Sequence, residues 1–453
     1  MKIEPARSLR GSVTVPGDKS ISHRAIMLGA ISEGDTRIEG FLRSADCMAT
    51  IDCMRRLGVR IDVIDRNDYS PEDTGSVVIV RGNGLRGLRE PRHTLDAMNS
   101  GTTVRLLSGI LAGQPFTTQI TGDRSLKKRP MKRIMQPLSE MGCRISSQTG
   151  TDTLPLTITG GELHGIQYRS AVASAQVKSC VLLAGLYAQE PTYFIEPALS
   201  RNHTELMLSA FGANLKTKND REGRPGVLIY PGTILRGQSL TVPGDISSAA
   251  YFIAAGLLVP HSEITLYNVG INETRDGILR VVRAMGGSLR AVNVRMEGRE
   301  PVADLIVRSS PLTGTIIGGS LIPTLIDELP VIAVMAACAE GDTVIRDAGE
   351  LRVKESDRLK AIVENLTALG VTVHETETGM VIEGKGGKAR KRPGRMGIFK
   401  GGVIDPLGDH RLAMAFSVAG LIADDPITIT DTECVGISYP DFYEDLTALT
   451  VNM

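Results

Sequence analysis

At 453 residues the chain is longer than one ordinary hydrophobic core supports, so two or three domains are expected. Hydrophobic residues make up 42% and charged residues 23%, a balance typical of globular proteins, and the longest apolar runs, such as Ala249 to Pro260, are too short to cross a bilayer. With 51 basic and 51 acidic residues the formal net charge is zero, which argues against a general polyanion binder while leaving room for local basic patches.

The first residues form no apolar secretory segment, so a cytoplasmic protein is expected. The first distinctive stretch is Gly17-Asp18-Lys19-Ser20-Ile21-Ser22-His23-Arg24. It follows a strand-like run, Ser12 to Pro16, and enters an apolar helix-like run, Ala25 to Ala30. A strand, a glycine turn and a helix start carrying Lys, Ser and Arg suit an anion, because free N–H groups and the helix dipole favour negative charge there. A capped surface helix with basic residues explains the same stretch equally well when it is taken alone. The six cysteines, Cys47, Cys53, Cys143, Cys180, Cys338 and Cys434, are scattered, with no C-x-x-C and no histidines at zinc spacing, so buried reduced thiols are expected.

Further along, one plan recurs at intervals of roughly 75 residues. An amphipathic helix ends in an apolar residue and Gly, at Leu57-Gly58, Met141-Gly142, Phe211-Gly212, Met285-Gly286 and Leu369-Gly370. A sixth copy, Leu446-Thr447-Ala448-Leu449-Thr450, meets the end of the chain. Gly after the last turn supplies the left-handed position that closes a helix. In the same rhythm an apolar helix runs through a break into an alternating strand: Ala25–Ile38, Leu106–Ile120, Val181–Ile195, Tyr251–Leu266, Val331–Ile345 and Ser417–Ile429. These helices are too apolar for a surface, so sheets must surround them. The other helices are amphipathic; across Lys354–Gly370, Leu359, Ile362, Val363, Leu366 and Leu369 form one stripe. Thr14-Val15-Pro16-Gly17-Asp18-Lys19-Ser20 returns as Thr241-Val242-Pro243-Gly244-Asp245-Ile246-Ser247, which halves the chain. The expected fold is therefore α/β in two lobes of three repeats each, with buried helices surrounded by sheets. The upper lobe is expected at residues 20–243, the lower at 1–19 and 244–453, with crossovers at Val15–Asp18 and Val242–Asp245.

The buried helices begin with polar residues: Lys19 to Arg24, Asn99 to Arg105, Ser174 to Ser179, Asp245 to Ser248, Asp327-Glu328 and Asp409-His410-Arg411. N-capping accounts for the Ser and Asp residues. It does not account for Lys19, Arg105, Gln176 or Arg411, since a cation opposes the dipole at that end. The amphipathic helices add Arg129, Arg201, Arg275 and Arg358 near their starts, some of which structural salt bridges would absorb. Two such faces closing together would make a cleft suited to a small, multiply anionic ligand, with carboxylates for proton transfer.

Taken together and in order, Pro16 to Arg24, Asn99-Ser100-Gly101-Thr102, Arg129-Pro130-Met131, Ser174-Ala175-Gln176-Val177-Lys178-Ser179, Leu351-Arg352-Val353-Lys354-Glu355-Ser356-Asp357-Arg358 and Asp409-His410-Arg411 closely resemble the 5-enolpyruvylshikimate-3-phosphate synthase family of the shikimate pathway, the 3-phosphoshikimate 1-carboxyvinyltransferases. The resemblance runs from about residue 9 to the end, and Ser174 to Ser179 is in the style of the bacterial class II branch. It implies an enolpyruvyl transferase-like fold of two lobes that close on the substrates. It implies transfer of the enolpyruvyl group of phosphoenolpyruvate to the 5-hydroxyl of shikimate 3-phosphate, by addition and elimination, with release of phosphate and without metal or organic cofactor. A cytoplasmic monomer acting on small molecules, without nucleic acid or membrane, is the expected state.

By position, Lys19, Ser20, Arg24, Ser174, Gln176, Arg201, Asp327 and Lys354 resemble the family's shikimate 3-phosphate contacts. Lys19, Gly101, Arg129, Gln176, Glu355, Arg358 and Arg411 resemble its phosphoenolpyruvate contacts. Asp327, with Lys19 nearby, resembles the base that takes the hydroxyl proton, and Glu355, its carboxyl raised by burial, the acid that protonates the methylene carbon. Gly101 stands where glyphosate-tolerant members can carry Ala, which implies that this herbicide competes with phosphoenolpyruvate here. One departure is Ile437, where many members carry a Lys that contacts phosphate.

The sister UDP-N-acetylglucosamine enolpyruvyl transferases carry a reactive Cys on the loop before Arg129-Pro130. Here that loop is Gly122-Asp123-Arg124-Ser125-Leu126-Lys127-Lys128, and Lys19-Ser20 stands where the sister family has Lys-Asn. RNA-processing cyclases share related units, and the runs Lys385 to Arg395 and Arg124 to Arg133 are basic. Zero net charge weighs against that alternative, and the first run reads as a solvated hairpin tip.

Overall fold

The apolar and amphipathic helices alternate along the chain in six pairs, one pair per repeat, in a computed structural model that describes residues 1–64, 76–386 and 398–451. The pairs are α1 (Lys19–Ala30) with α2 (Ala45–Arg56), and α3 (Gly101–Ala112) with α4 (Lys132–Glu140). Next come α5 (Ala175–Gly185) with α6 (His203–Ala210), and α7 (Ile246–Leu258) with α8 (Gly277–Ala284). The last are α9 (Leu329–Cys338) with α10 (Arg358–Ala368), and α11 (His410–Gly420) with α12 (Phe442–Leu449). The first member of each pair is the buried one; every residue of α9 is buried, as is α7 from Ile246 to Leu257.

Six sheets surround these helices among the described residues, and they share one plan. Each buried helix runs into a strand: Glu33–Phe41, Thr117–Thr121, Thr192–Ile195, Glu263–Gly270, Glu340–Ile345 or Ile427–Ile429. That strand takes a parallel neighbour on one side and an antiparallel one on the other. Two of the parallel neighbours come from far along the chain. Ser239–Thr241 closes the sheet of the first repeat, and Ser8–Val13 that of the fourth, so edges that neighbouring repeats leave open are paired.

The chain divides into two units. The N-terminal unit is Gly17–Pro243 with Met296–Glu300; the C-terminal unit is Met1–Pro16, Gly244–Arg295 and Pro301–Met453. Each has its own core of buried apolar residues. Lys19 thus falls in the N-terminal unit, not with residues 1–16 as the expected span 1–19 had it, because α1 begins there and Asp18 N donates to Pro243 O at 2.7 Å.

Local signals explain the element ends. Gly58, Gly142, Gly212, Gly286 and Gly370 all have positive φ, between 77° and 100°, where a side chain would be strained. Within the N-terminal unit α3 and α5 pack so closely that a Cβ on Gly109 would lie 2.2 Å from the Cys180 carbonyl oxygen. All six cysteines are free and buried, and burial pushes the Cys47, Cys53 and Cys143 thiols up to about 12. The stripe expected across Lys354–Gly370 lies on an α-helix that begins at Arg358 behind an Asp357 cap, after a 3-10 turn at Gly349–Val353. Most of the basic run Lys385 to Arg395 lies outside the described residues.

Candidate active site

Five of the six buried helices carry a side-chain cap. Asp18 accepts from Ile21 N at 2.8 Å, Ser100 from Thr103 N at 3.1 Å, Ser174 from Val177 N at 3.5 Å, Asp245 from Ser247 N at 2.8 Å and Asp409 from Arg411 N at 3.0 Å. At α9 the residue in the cap position, Glu328, makes no such bond. Asp327, just before it, is left for other partners.

In the N-terminal unit the predicted residues gather at the starts of α1, α3, α5 and α6. Lys19 Nζ lies 2.5 Å from Asp46 Oδ2. Arg24 is turned inward. Its Nε donates to Thr204 Oγ1 at 2.6 Å, Nη1 to the Ser20 carbonyl at 2.9 Å and Nη2 to Ser179 Oγ at 2.8 Å, and burial pushes its guanidinium down to about 10. Arg201 Nη1 reaches Ser20 Oγ at 3.5 Å. Gln176 bridges α5 to α3, accepting from Arg105 Nη1 at 2.6 Å and donating to Thr102 Oγ1 at 3.0 Å. Arg129 Nη2 donates to Asn99 Oδ1 at 2.9 Å, and Asn99 Nδ2 donates to Asp123 Oδ2 at 2.6 Å. Gly101 faces the same guanidinium groups: a Cβ there would lie 3.0 Å from Arg105 Nη1 and 3.5 Å from Arg129 Nη1.

In the C-terminal unit Asp327 is the hub. Its Oδ1 accepts from Lys354 Nζ at 3.2 Å and Arg358 Nη1 at 3.4 Å, Arg275 Nη1 is 3.9 Å from Oδ2, and its carbonyl accepts from Arg411 Nη1 at 3.3 Å. Arg358 is 1% exposed. It grips Asp409 with two nitrogens, at 2.7 and 3.2 Å, and donates to Glu355 Oε2 at 2.7 Å. Burial alone would lower the Arg358 guanidinium, yet the Asp409 and Glu355 carboxylates outweigh it and push the group up. Desolvation is likewise overcome at Arg411 by Asp327 and its acidic neighbours. A third network supports Asp327 from behind: Arg275 Nη2 donates to Ser247 Oγ at 2.6 Å and lies 3.3 Å from Asp245, while Ser247 Oγ donates to Glu328.

The Glu355 side chain is 25% exposed and lies 2.7 Å from Arg358 Nη2. Ile437 ends a 3-10 turn and packs its side chain against the apolar core, so no cation stands at that position. The sequence reading gave no role to the partners that aim the cations: the Asp46 and Asp123 carboxylates, the Asn99 amide and, beyond its capping role, Asp409. It also passed over Lys178 as part of a motif. The signal was a Lys, followed by one Ser, inside a run from Val177 to Leu183 that is apolar elsewhere.

The chain is similar to known proteins over nearly its whole length. A family model described as EPSP synthase (3-phosphoshikimate 1-carboxyvinyltransferase) matches residues 3–446. Proteins named 3-phosphoshikimate 1-carboxyvinyltransferase are 51% identical in Pelobacter propionicus, covering 98% of this chain and 97% of the relative, and 49% identical in Brevibacillus brevis, covering 99% and 100%. Among solved structures, EPSP synthase from Acinetobacter baumannii superimposes with a TM-score of 0.85 at 43% identity, covering 100% of this chain and 98% of the other. The enolpyruvyl transferase NikO from Streptomyces tendae, at 18% identity and a TM-score of 0.74, covers 99% of this chain and 96% of its own and has the same fold.

Proposed function

This chain belongs to the EPSP synthase family, and from that premise we propose how its residues divide the work of the reaction. The reaction moves the enolpyruvyl group of phosphoenolpyruvate to the 5-hydroxyl of shikimate 3-phosphate and releases phosphate. Shikimate 3-phosphate is held by Lys19, Ser20, Arg24, Ser174, Gln176, Arg201, Asp327 and Lys354. Phosphoenolpyruvate is held by Lys19, Gly101, Arg129 and Gln176 and by Glu355, Arg358 and Arg411. Guanidinium groups suit these ligands, because their forked N–H donors match the oxygens of carboxylate and phosphate.

The observation that carries the reading is the Asp327 carboxylate among Lys354, Arg358 and Arg275, with Arg411 on its carbonyl. In the free protein these cations hold Asp327 ionised. As the anionic substrates take up Arg358, Arg411 and Lys354, Asp327 is left with fewer cationic partners and becomes the better proton acceptor. It then removes the proton of the 5-hydroxyl as that oxygen bonds to the central carbon of phosphoenolpyruvate. Glu355 handles the proton at the methylene carbon. It receives one as it becomes an acid beside the bound substrate, delivers it to form the methyl group, and takes it back as phosphate leaves. The Lys19 ammonium, 2.5 Å from Asp46, steadies the negative charge that develops between the reactants.

Gly101, where a Cβ would crowd Arg105 Nη1 at 3.0 Å, supports competition by glyphosate with phosphoenolpyruvate. The six buried free thiols support a cytoplasmic setting, and the zero net charge weighs against nucleic acid as a partner. Phosphate release is the test. It is expected only when both substrates are present, and Asp327→Asn and Glu355→Gln are each expected to lower kcat by more than about tenfold. Turnover near that of the unaltered protein in both variants would refute the acid–base assignment.

A further inference from the structure

Lys178 is a buried charged group to which the reaction gives no role. It lies within α5, and its side chain is 0% exposed. Its ammonium is 2.9 Å from Glu196 Oε1 and 2.8 Å from Glu205 Oε1, both carboxylates being buried, and it donates to the Ser200 carbonyl at 3.1 Å. Glu196 also accepts from Ser200 N at 3.0 Å and from Ser200 Oγ at 2.5 Å. An ion cluster removed from water in this way is weak support for stability, since apolar residues of similar volume often do as well. What it holds is more informative. Glu196 to Ser200 is the segment between the strand Thr192–Ile195 and α6, and Arg201 follows it directly. Glu205 belongs to the first turn of α6 beside Thr204, whose hydroxyl accepts from Arg24 Nε at 2.6 Å and shares a 2.6 Å bond with Ser179.

We propose that Lys178, with Glu196 and Glu205, is a positioning residue for shikimate 3-phosphate: it pins the Ser200 backbone and the first turn of α6, so that Arg201 and, through Thr204, Arg24 are held toward Ser20 before the substrate arrives. This rests on the assignment of Ser20, Arg24 and Arg201 to that substrate. Four contacts converge on one short segment, and each removes freedom that substrate binding would otherwise have to remove. None of them touches the residues assigned to phosphoenolpyruvate alone, so the effect is confined to one of the two substrates.

The experiment is steady-state kinetics of the full chain with each substrate varied in turn. Lys178→Met combined with Glu205→Gln removes one positive and one negative charge and leaves the net charge of the cluster as it was. It is expected to raise KM for shikimate 3-phosphate by about tenfold, with KM for phosphoenolpyruvate and kcat each within about twofold. Ser200→Ala keeps every charge and removes only the hydroxyl tie to Glu196; about a threefold rise in the same KM is expected with no change in melting temperature. Loss of melting temperature with both KM values unchanged would mean a purely structural role and would overturn the proposal. Unchanged KM values in Ser200→Ala would overturn it even where the double variant does not fold. Arg201→Ala separates the two readings. A raised KM for shikimate 3-phosphate in that variant, with no effect of the other two, sinks the positioning role alone, whereas no effect of Arg201→Ala removes the substrate assignment and this proposal together.

Discussion

Asp327 and Glu355 are both carboxylates beside Arg358, yet they are held differently. Asp327 has cations on both oxygens and is nearly buried, while Glu355 is more exposed and leans on one guanidinium. The sequence identifies both as acidic residues next to basic ones and goes no further, because the number of cations each meets depends on side chains from other repeats. His23 is a second case. It follows Ser22 in a basic stretch and is fully buried, with Nδ1 at 2.7 Å from Thr50 Oγ1 at the head of a chain of hydroxyls through Thr103 to Ser100. Burial, helped by Lys19 and Arg24, holds its pKa well below the ordinary 6.5. The unfolded chain therefore binds a proton as pH falls below about 6.5 and the folded chain does not, so stability is lost on acidification through that window, by up to about 1.4 kcal/mol per pH unit. His23→Gln is expected to flatten the dependence of unfolding free energy on pH between about pH 6 and 5. Urea titrations with equal slopes in both proteins would contradict this.

Among the elements, the helix ends follow local rules closely. A capping side chain before five of the six buried helices and a positive-φ glycine after five of the amphipathic ones are written in adjacent residues. Gly286 isolates the backbone contribution, because φ is 77° and a Cβ there would touch nothing within 4 Å. Gly286→Ala is expected to cost about 1 kcal/mol in urea unfolding, from the left-handed backbone alone. A change near zero would mean that the turn relaxes to a different conformation. The exception among the starts is α9. There the polar pair Asp327-Glu328 looked like one more cap and is instead the hub of the ionic network. The stripe of α10 runs as expected from Leu359, and the helix itself begins at Arg358, where Asp357 caps it by accepting from Lys360 N.

As a whole molecule, the protein consists of two units with separate cores, and the chain passes between them at Pro16–Gly17 and Pro243–Gly244 and again on either side of Met296–Glu300. Separate cores need not unfold together. Calorimetry of the substrate-free protein is expected to give a calorimetric enthalpy larger than the van't Hoff value, the mark of more than one unfolding step. Equal enthalpies would show that the two cores unfold as one. The six-sheet plan is what makes such a division legible: each unit recruits a distant strand, Ser239–Thr241 or Ser8–Val13, and so closes on itself.

The sequence by itself determined the six repeats, the burial of one helix in each pair, the turns that end the helices and, through its combined motifs, the chemistry of the family. All of these depend on residues close together in the chain or on the recurrence of a local pattern. Only the tertiary structure decided which charges meet. Arg358 with Asp409, Lys19 with Asp46, and Lys178 with Glu196 and Glu205 join residues from different elements. Their pairing depends on which helix faces come together and at what distance, a property of packing that spacing along one chain does not encode.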